Sequence, residues 1–272
     1  MRRRGKRAVR CRARLTRTAW IAGPLALIIM AVMAMWPMVT AAPAAITPSA
    51  LATADPSAGN PAVGALFSMS GAQVGAHFCT ASVVDSPAGD LLVTAAHCLQ
   101  GYSDSTPVGL AFVPGYNGTA PYGVWTVTRI FVDSAWASAA DPDDDVAFLT
   151  VARPGGNARI ENVTGAARLG TGAPPAEVVQ VTGYPDRQDQ PISCQSRTSA
   201  FSSSQLEFGC ADYTDGTSGS PLLIDAGPAT GDGTLIGVIG GYQQGGDSAD
   251  VSYAAVFGPD VRSLYDTAVS RG

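Results

Sequence analysis

The sequence predicts an all-β fold of two six-stranded antiparallel β-barrels followed by one C-terminal helix. Three observations carry this. From Val63 onward, short runs of β-branched and aromatic residues alternate with clusters of Gly, Pro, Asn and Asp, the pattern of strands separated by tight turns. The runs form two sets of six on either side of a Gly/Pro-rich connector, 154–175. Six strands suffice to close a small barrel and so remove its exposed edges. The last run, 261–269, instead follows Pro259 and Asp260, residues that favour the first turn of a helix.

The beginning of the chain is of another kind. Nine of the 17 basic residues precede Trp20, an uncharged apolar run covers 20–39, and small residues fill 40–45. A basic region, an apolar core and a small-residue cleavage site read as a signal peptide over 1–45. The apolar run also approaches the roughly 20 residues of a membrane span, so an uncleaved anchor is the alternative. Pro24 and Pro37 shorten its helical core. The protein is therefore expected to be secreted, or else anchored to the cell membrane. Residues 46–61, rich in Ala, Pro, Ser and Thr, are expected to be a flexible linker or short pro-segment. The folded domain is then 62–272. Beyond Trp20 stand eight arginines, no lysine and 22 acids, a net charge of −14. Such a surface repels nucleic acid and anionic lipid, so no nucleic-acid partner is expected, and a membrane only through an uncleaved leader.

The first barrel, about 62–153, takes its strands from 64–69, 78–84, 91–95, 108–113, 125–132 and 146–151. The second, about 176–258, takes 177–184, 192–200, 205–210, 222–224, 234–240 and 252–256, and the helix occupies about 259–270.

The stretch Asp215-Gly-Thr-Ser-Gly-Ser-Pro221 sets Ser218 in a turn between two glycines, which can adopt positive φ and let a substrate approach the backbone. The amides of Gly216 and Ser218 can then point together at a developing oxyanion. A serine hydroxyl needs a base within hydrogen-bond reach, and that base needs an orienting group. Of the two histidines, His97 closes the run Leu91-Leu-Val-Thr-Ala-Ala-His97-Cys98, while His77 stands in Ala76-His77-Phe78-Cys79-Thr80. Downstream, Asp145 opens Asp145-Val-Ala-Phe-Leu149.

In this order the three segments resemble the chymotrypsin-like (trypsin-fold) serine endopeptidases, in their secreted bacterial branch, over residues 63 to the C-terminus. The resemblance implies a Ser218 nucleophile, His97 as general base, Asp145 orienting it, and an oxyanion hole at Gly216 and Ser218. It places the site in the cleft between two barrels, His97 and Asp145 on the first and Ser218 on the second. It implies protein or peptide substrates, a monomer, and neither cofactor nor metal. His77 matches a position that is structural in the family. Asp141, Asp143 and Asp144 compete with Asp145, but only Asp145 directly precedes a strand; the others read as a solvated acidic turn.

Four cysteines follow the leader, and three connectivities are open to them. Two close pairs suggest themselves, Cys79 with Cys98 and Cys194 with Cys210; the alternative is free thiols or a metal site, for which no spacing matches a zinc knuckle. For substrate binding, Asp212 lies six residues before Ser218, where trypsin-like members carry the pocket-base carboxylate that selects Arg or Lys. Gly240, Gly241 and Tyr242 resemble the strand that pairs with substrate backbone, with Tyr242 in place of a typical glycine. Thr217 replaces the aspartate that in many members pairs with a freed N-terminus, which speaks against that mode of activation. The rival from another class is a secreted binding module that keeps the fold without turnover.

Overall fold

The computed structural model describes residues 51–103, 108–227 and 232–272. The leader and the first residues of the linker thus lie outside the described residues. The rest of the linker differs from the flexible segment expected. Strand β1 (Asp55–Pro56) pairs with residues 192–193. Ala54 N and Ala211 N bond Ala211 O and Ala52 O at 3.1 and 2.8 Å, and Ser57 N bonds Pro191 O at 2.9 Å. Backbone hydrogen bonds hold this stretch, and they need no apolar periodicity to form.

The first barrel is closed by β2 (Val63–Ser70), β3 (Gln73–Val83), β4 (Leu91–Thr94), β5 (Leu110–Pro114), β6 (Trp125–Val132) and β7 (Ala147–Ala152), in the order β2-β3-β4-β7-β6-β5. Side chains alternate across a strand, and here both faces are buried. Leu92, Leu149 and Val151 point into the barrel with Leu66, Phe112 and Trp125. Leu91, Val93 and Phe148 point outward into a second core with Leu223, Leu235 and Val238 of the other sheet. That shared core is why 91–94 and 146–149 read as continuous apolar runs rather than alternating ones.

Between β6 and β7, α1 (Ser134–Ala139) is capped by Asp133, whose Oδ1 accepts from Ala135 N at 2.7 Å. The connector is more ordered than its composition predicts. Fully buried Ile160 starts the single turn α2 (Glu161–Thr164), and β8 (Arg168–Leu169) runs parallel to residues 234–235. The six strands expected for the second barrel follow as β9 (Val178–Gly183), β10 (Ile192–Ala200), β11 (Gln205–Gly209), β12 (Pro221–Ile224), β13 (Thr234–Val238) and β14 (Val251–Ala255). With β8 at one edge and β1 on β10 they form an eight-stranded sheet, β14-β11-β10-β9-β12-β13-β8. Among the described residues its curl is completed by a bridge between Ile239 and Ala254 and a 2.9 Å bond from Gly240 N to Tyr253 O. The ladder stops there because the next amide, that of Gly241, turns to Asp145 instead.

Helix α3 (Pro259–Arg271) buries Val261, Leu264 and Ala268, one stripe at helical spacing, in the core shared by the two sheets. Tyr265 meets Phe148 edge-on at 5.7 Å and donates from its hydroxyl to Asp85 O at 2.7 Å.

Candidate active site

Strands β4 and β7 run antiparallel with Thr94 opposite Ala147. The residues just after β4 and just before β7 must therefore meet at the same end of the barrel. Those residues are His97, in a 3-10 turn over Ala96–Leu99, and Asp145. Asp145 is fully buried, and three donors converge on its carboxylate. Oδ1 accepts from His97 N at 2.8 Å, and Oδ2 meets His97 Nδ1 at 2.7 Å and accepts from Gly241 N at 2.8 Å. With Nδ1 engaged, the imidazole has Nε2 left for chemistry. Gly240 packs so tightly here that a Cβ would stand 3.0 Å from Asp145 Oδ2 and 3.1 Å from Ala95 Cβ.

Ser218 stands on the turn entering β12, and it shares with His97 a polar cleft of about 970 Å³. No hydrogen bond joins Ser218 Oγ to the His97 ring among the described residues; both residues line the cleft. The turn is locked by its backbone. Thr217 N bonds Thr214 O at 3.1 Å, Gly219 N bonds Ile239 O at 2.7 Å, and Ser220 N bonds Thr217 O at 3.0 Å. The amides on either side of Thr217, Gly216 N and Ser218 N, have no acceptor among the described residues, and both residues line the cleft. Gly216 and Gly219 hold φ of 93° and 83°. A Cβ on Gly219 would run into Thr80 O and Thr94 Oγ1, so only glycine fits beside the serine.

The disulfide Cys79–Cys98 ties β3 to the His97 turn, and Cys194–Cys210 joins β10 to the end of β11. The sulfurs beside His97 are bonded to each other, so they offer no thiolate to a metal. His77 is buried against Phe67 and Tyr116, with ring centroids 5.4 and 5.5 Å away. Burial lowers its pKa, favouring the neutral ring.

The residues expected to bind substrate are dispersed. Asp212 is exposed, at φ 77°, and lies outside the cleft's lining. Gly240 and Gly241 serve Asp145 as described. Tyr242 turns its ring to Phe201 and Tyr253, at 4.8 and 5.1 Å. Gln243, Gln244, Asp247, Ser248 and Ser252 line the cleft instead. Gln243 and Gln244 hold left-handed φ of 51° and 55°, a conformation that no propensity scale for glutamine announces.

Sequence reasoning passed over two further residues. Buried Gln205 donates from Nε2 to Pro142 O at 3.0 Å and Asp143 Oδ1 at 2.7 Å, and its Oε1 accepts from Tyr242 N at 3.2 Å. It thus couples the acidic turn to the Gly240–Tyr242 segment. Fully buried Thr80 reaches from β3 to the Ser218 turn. Neither belongs to a local motif; only the fact that Thr80 follows Cys79 placed it near the site.

The acids beside Asp145 are not uniformly solvated. Burial first, then the charges of Asp133, Asp141, Asp260 and Asp143, push the Asp144 pKa up to about 6. Its folded value stands above the ordinary one of 3.8, so the folded state binds this proton more tightly than the unfolded chain. That stabilisation is complete below the ordinary value and is lost as pH rises toward about 6. Asp144→Asn is therefore expected to raise the melting temperature at neutral pH, with the gain vanishing near pH ~4. Calorimetry of both proteins across that range checks this.

Two barrel-like sheets with a polar cleft between a histidine–aspartate pair on one and a serine turn on the other define the chymotrypsin-like class of serine peptidases. Residues 53–257, more than half of the chain, match the family model described as Trypsin; the chain belongs to that family and is a serine endopeptidase. Three solved structures share its fold. Protease Anisep from Arthrobacter nicotinovorans is 24% identical with a TM-score of 0.68, covering 80% of this chain and 100% of that one. The thermostable serine protease AL20 from an extremophilic microorganism is 22% identical with a TM-score of 0.64, covering 78% and 99%. A Glu endopeptidase in complex with MPD is 15% identical with a TM-score of 0.61, covering 81% and 98%. At these identities the likeness speaks for the fold alone. No curated protein matches the chain in sequence.

Proposed function

We propose that this is an exported endopeptidase that cuts protein or peptide substrates through an acyl-enzyme formed on Ser218. The observation that carries the reading is the buried Asp145 carboxylate, bonded to His97 at both Nδ1 and the main chain, with His97, Ser218 and the unengaged amides of Gly216 and Ser218 sharing one cleft. Ser218 Oγ attacks the scissile carbonyl carbon while its proton passes to His97 Nε2. The carbonyl oxygen becomes an oxyanion between Gly216 N and Ser218 N. The C–N bond then breaks, and His97 returns the proton to the departing amine. Water repeats the sequence in the second half, activated by the same imidazole, and releases the acid and free Ser218. Asp145 holds the tautomer and stabilises the imidazolium. The absent Ser218–His97 bond accords with unliganded sites, where catalytic hydrogen bonds are often long and tighten with substrate.

Two disulfides suit an oxidising compartment, and the basic-apolar-small leader supplies the export route, with cleavage after about Ala42 to Ala45. The enzyme works as a monomer without metal or cofactor. A carboxylate at Asp212 would select Arg or Lys only by reaching the cleft, and here it lies outside the lining. The test joins three readouts on the protein released into medium. Its mass reports leader cleavage, an organophosphonate reports Ser218 reactivity, and mass spectrometry of a digested peptide mixture reports cut sites. Labelling at Ser218 with new peptide termini supports the reading. An unlabelled, inert and fully disulfide-bonded protein would establish the binding module instead. A protein retained in the membrane at full mass replaces export by anchoring.

A further inference from the structure

All four carbonyls of residues 215–218 are held, and two of them are held by a single residue of the other barrel. Asp215 O accepts from Asp186 N at 2.8 Å, and Thr217 O accepts from Ser220 Oγ at 2.6 Å. Gly216 O accepts from Thr80 Oγ1 at 3.0 Å, and Ser218 O accepts from Thr80 N at 2.8 Å. The Thr80 hydroxyl in turn accepts from Tyr184 N at 3.0 Å, and Thr80 O accepts from Thr94 Oγ1 at 2.7 Å, three residues before His97. Thr80 has no exposed surface. Its one hydroxyl proton is committed to Gly216, and its acceptor to the 184–186 segment that holds Asp215.

Gly216, at φ 93°, lacks the Cβ that would restrain it, and a Cβ there would collide with Asp186 N and Tyr184 O. Such a residue rotates freely unless its flanking peptides are bonded. The Asp215 and Gly216 carbonyls are those bonds, and both lead to Thr80 Oγ1, one directly and one through the Tyr184 segment. We infer that the Thr80 hydroxyl is a positioning group for the oxyanion site, keeping the Gly216 amide turned into the cleft where the carbonyl oxygen of a peptide substrate becomes negative. This rests on the acyl-enzyme reading above. It makes the first barrel, which supplies His97 and Asp145, also the keeper of the second barrel's oxyanion donor.

The test compares Thr80→Val and Thr80→Ala, which remove the hydroxyl, with Thr80→Ser, which keeps it. Displacing a donor costs less than deleting one, so kcat on a peptide amide is expected to fall roughly 10- to 100-fold in the first two, against the 10²–10³ of a deletion. KM should stay unchanged, since the oxyanion exists only in the transition state. Affinity for a peptide boronic acid, whose adduct places an oxygen at Gly216 N and Ser218 N, should fall by the same factor as kcat. Thr80→Ser should restore both. Circular dichroism and melting curves accompany each variant; if Val does not fold, the Ser and Ala pair carries the comparison. Equal kcat and boronate affinity in the Ser and Ala variants would overturn the inference, as would losses that only follow stability. Wild-type turnover and organophosphonate labelling, measured alongside, keep the two readings apart. An inert wild type defeats the acyl-enzyme reading itself, whereas an active wild type with an indifferent position 80 defeats only this inference.

Discussion

Ser218→Ala is expected to lower kcat by ~10⁶-fold, the scale seen when the nucleophile of a comparable hydrolase is removed, with the fold intact. The fold survives because the turn is held by its main chain. Ser218 contributes its carbonyl to Thr80 N, and its neighbours contribute the bonds to Ile239 and Thr214. None of these uses the hydroxyl. The residual rate belongs to the oxyanion donors and to substrate binding, since Gly216 N and Ser218 N remain in the alanine variant. The measurement is single-turnover hydrolysis of a peptide amide by wild type and variant, with matched circular dichroism. A variant within ~10-fold of wild type would displace Ser218 from the nucleophile's place.

Asp145→Asn is expected to cost ~10⁴-fold in kcat with little change in KM. The carboxylate accepts three bonds inside the protein, from His97 N, His97 Nδ1 and Gly241 N. An amide brings one acceptor oxygen and one donating NH₂ group to the same three partners. If the NH₂ replaces Oδ2, it faces both Nδ1 and Gly241 N: the ring must take the tautomer with its proton on Nε2, where it can no longer accept from Ser218, and the Gly241 N–H loses its acceptor. If the NH₂ replaces Oδ1, the His97 N–H loses its acceptor instead, so in either orientation a buried donor goes unsatisfied at a cost of ~1–3 kcal/mol. The wrong tautomer appears in kcat and in the imidazole proton resonances, the unsatisfied donor in the melting temperature. An Asn variant that keeps wild-type kcat would remove Asp145 from the mechanism.

The strand pattern was open to reading because it is local chemistry. Alternating runs such as 125–132, and turns marked by glycine and asparagine, carry their own instructions, and β6 occupies that range. The doubly buried runs of β4 and β7 were readable for the same reason, their apolar content being continuous. His97, Asp145 and Ser218 stood out because each sits in a short, chemically unusual segment next to a strand. Elements held by main-chain bonds to distant partners left no such mark. Segment 52–57 shows only Ala, Pro, Ser, Thr and Asp, yet Ala211 and Pro191 hold it to the second sheet. Gln205 and Thr80 are ordinary residues in ordinary strands, the first 62 residues after its partner Asp143 and the second 136 before its partner Gly216.

The sequence by itself determined the all-β class, the strand positions of both barrels, the C-terminal helix and the supply of paired cysteines, because propensity, period and turn chemistry act within a few residues. Only the tertiary structure decided how the second sheet nearly closes, which side chains wall the cleft, and which residue of one barrel grips the serine turn of the other. Those outcomes depend on which backbone groups are left unpaired once both sheets have packed, and that is known only when residues far apart in the chain have met.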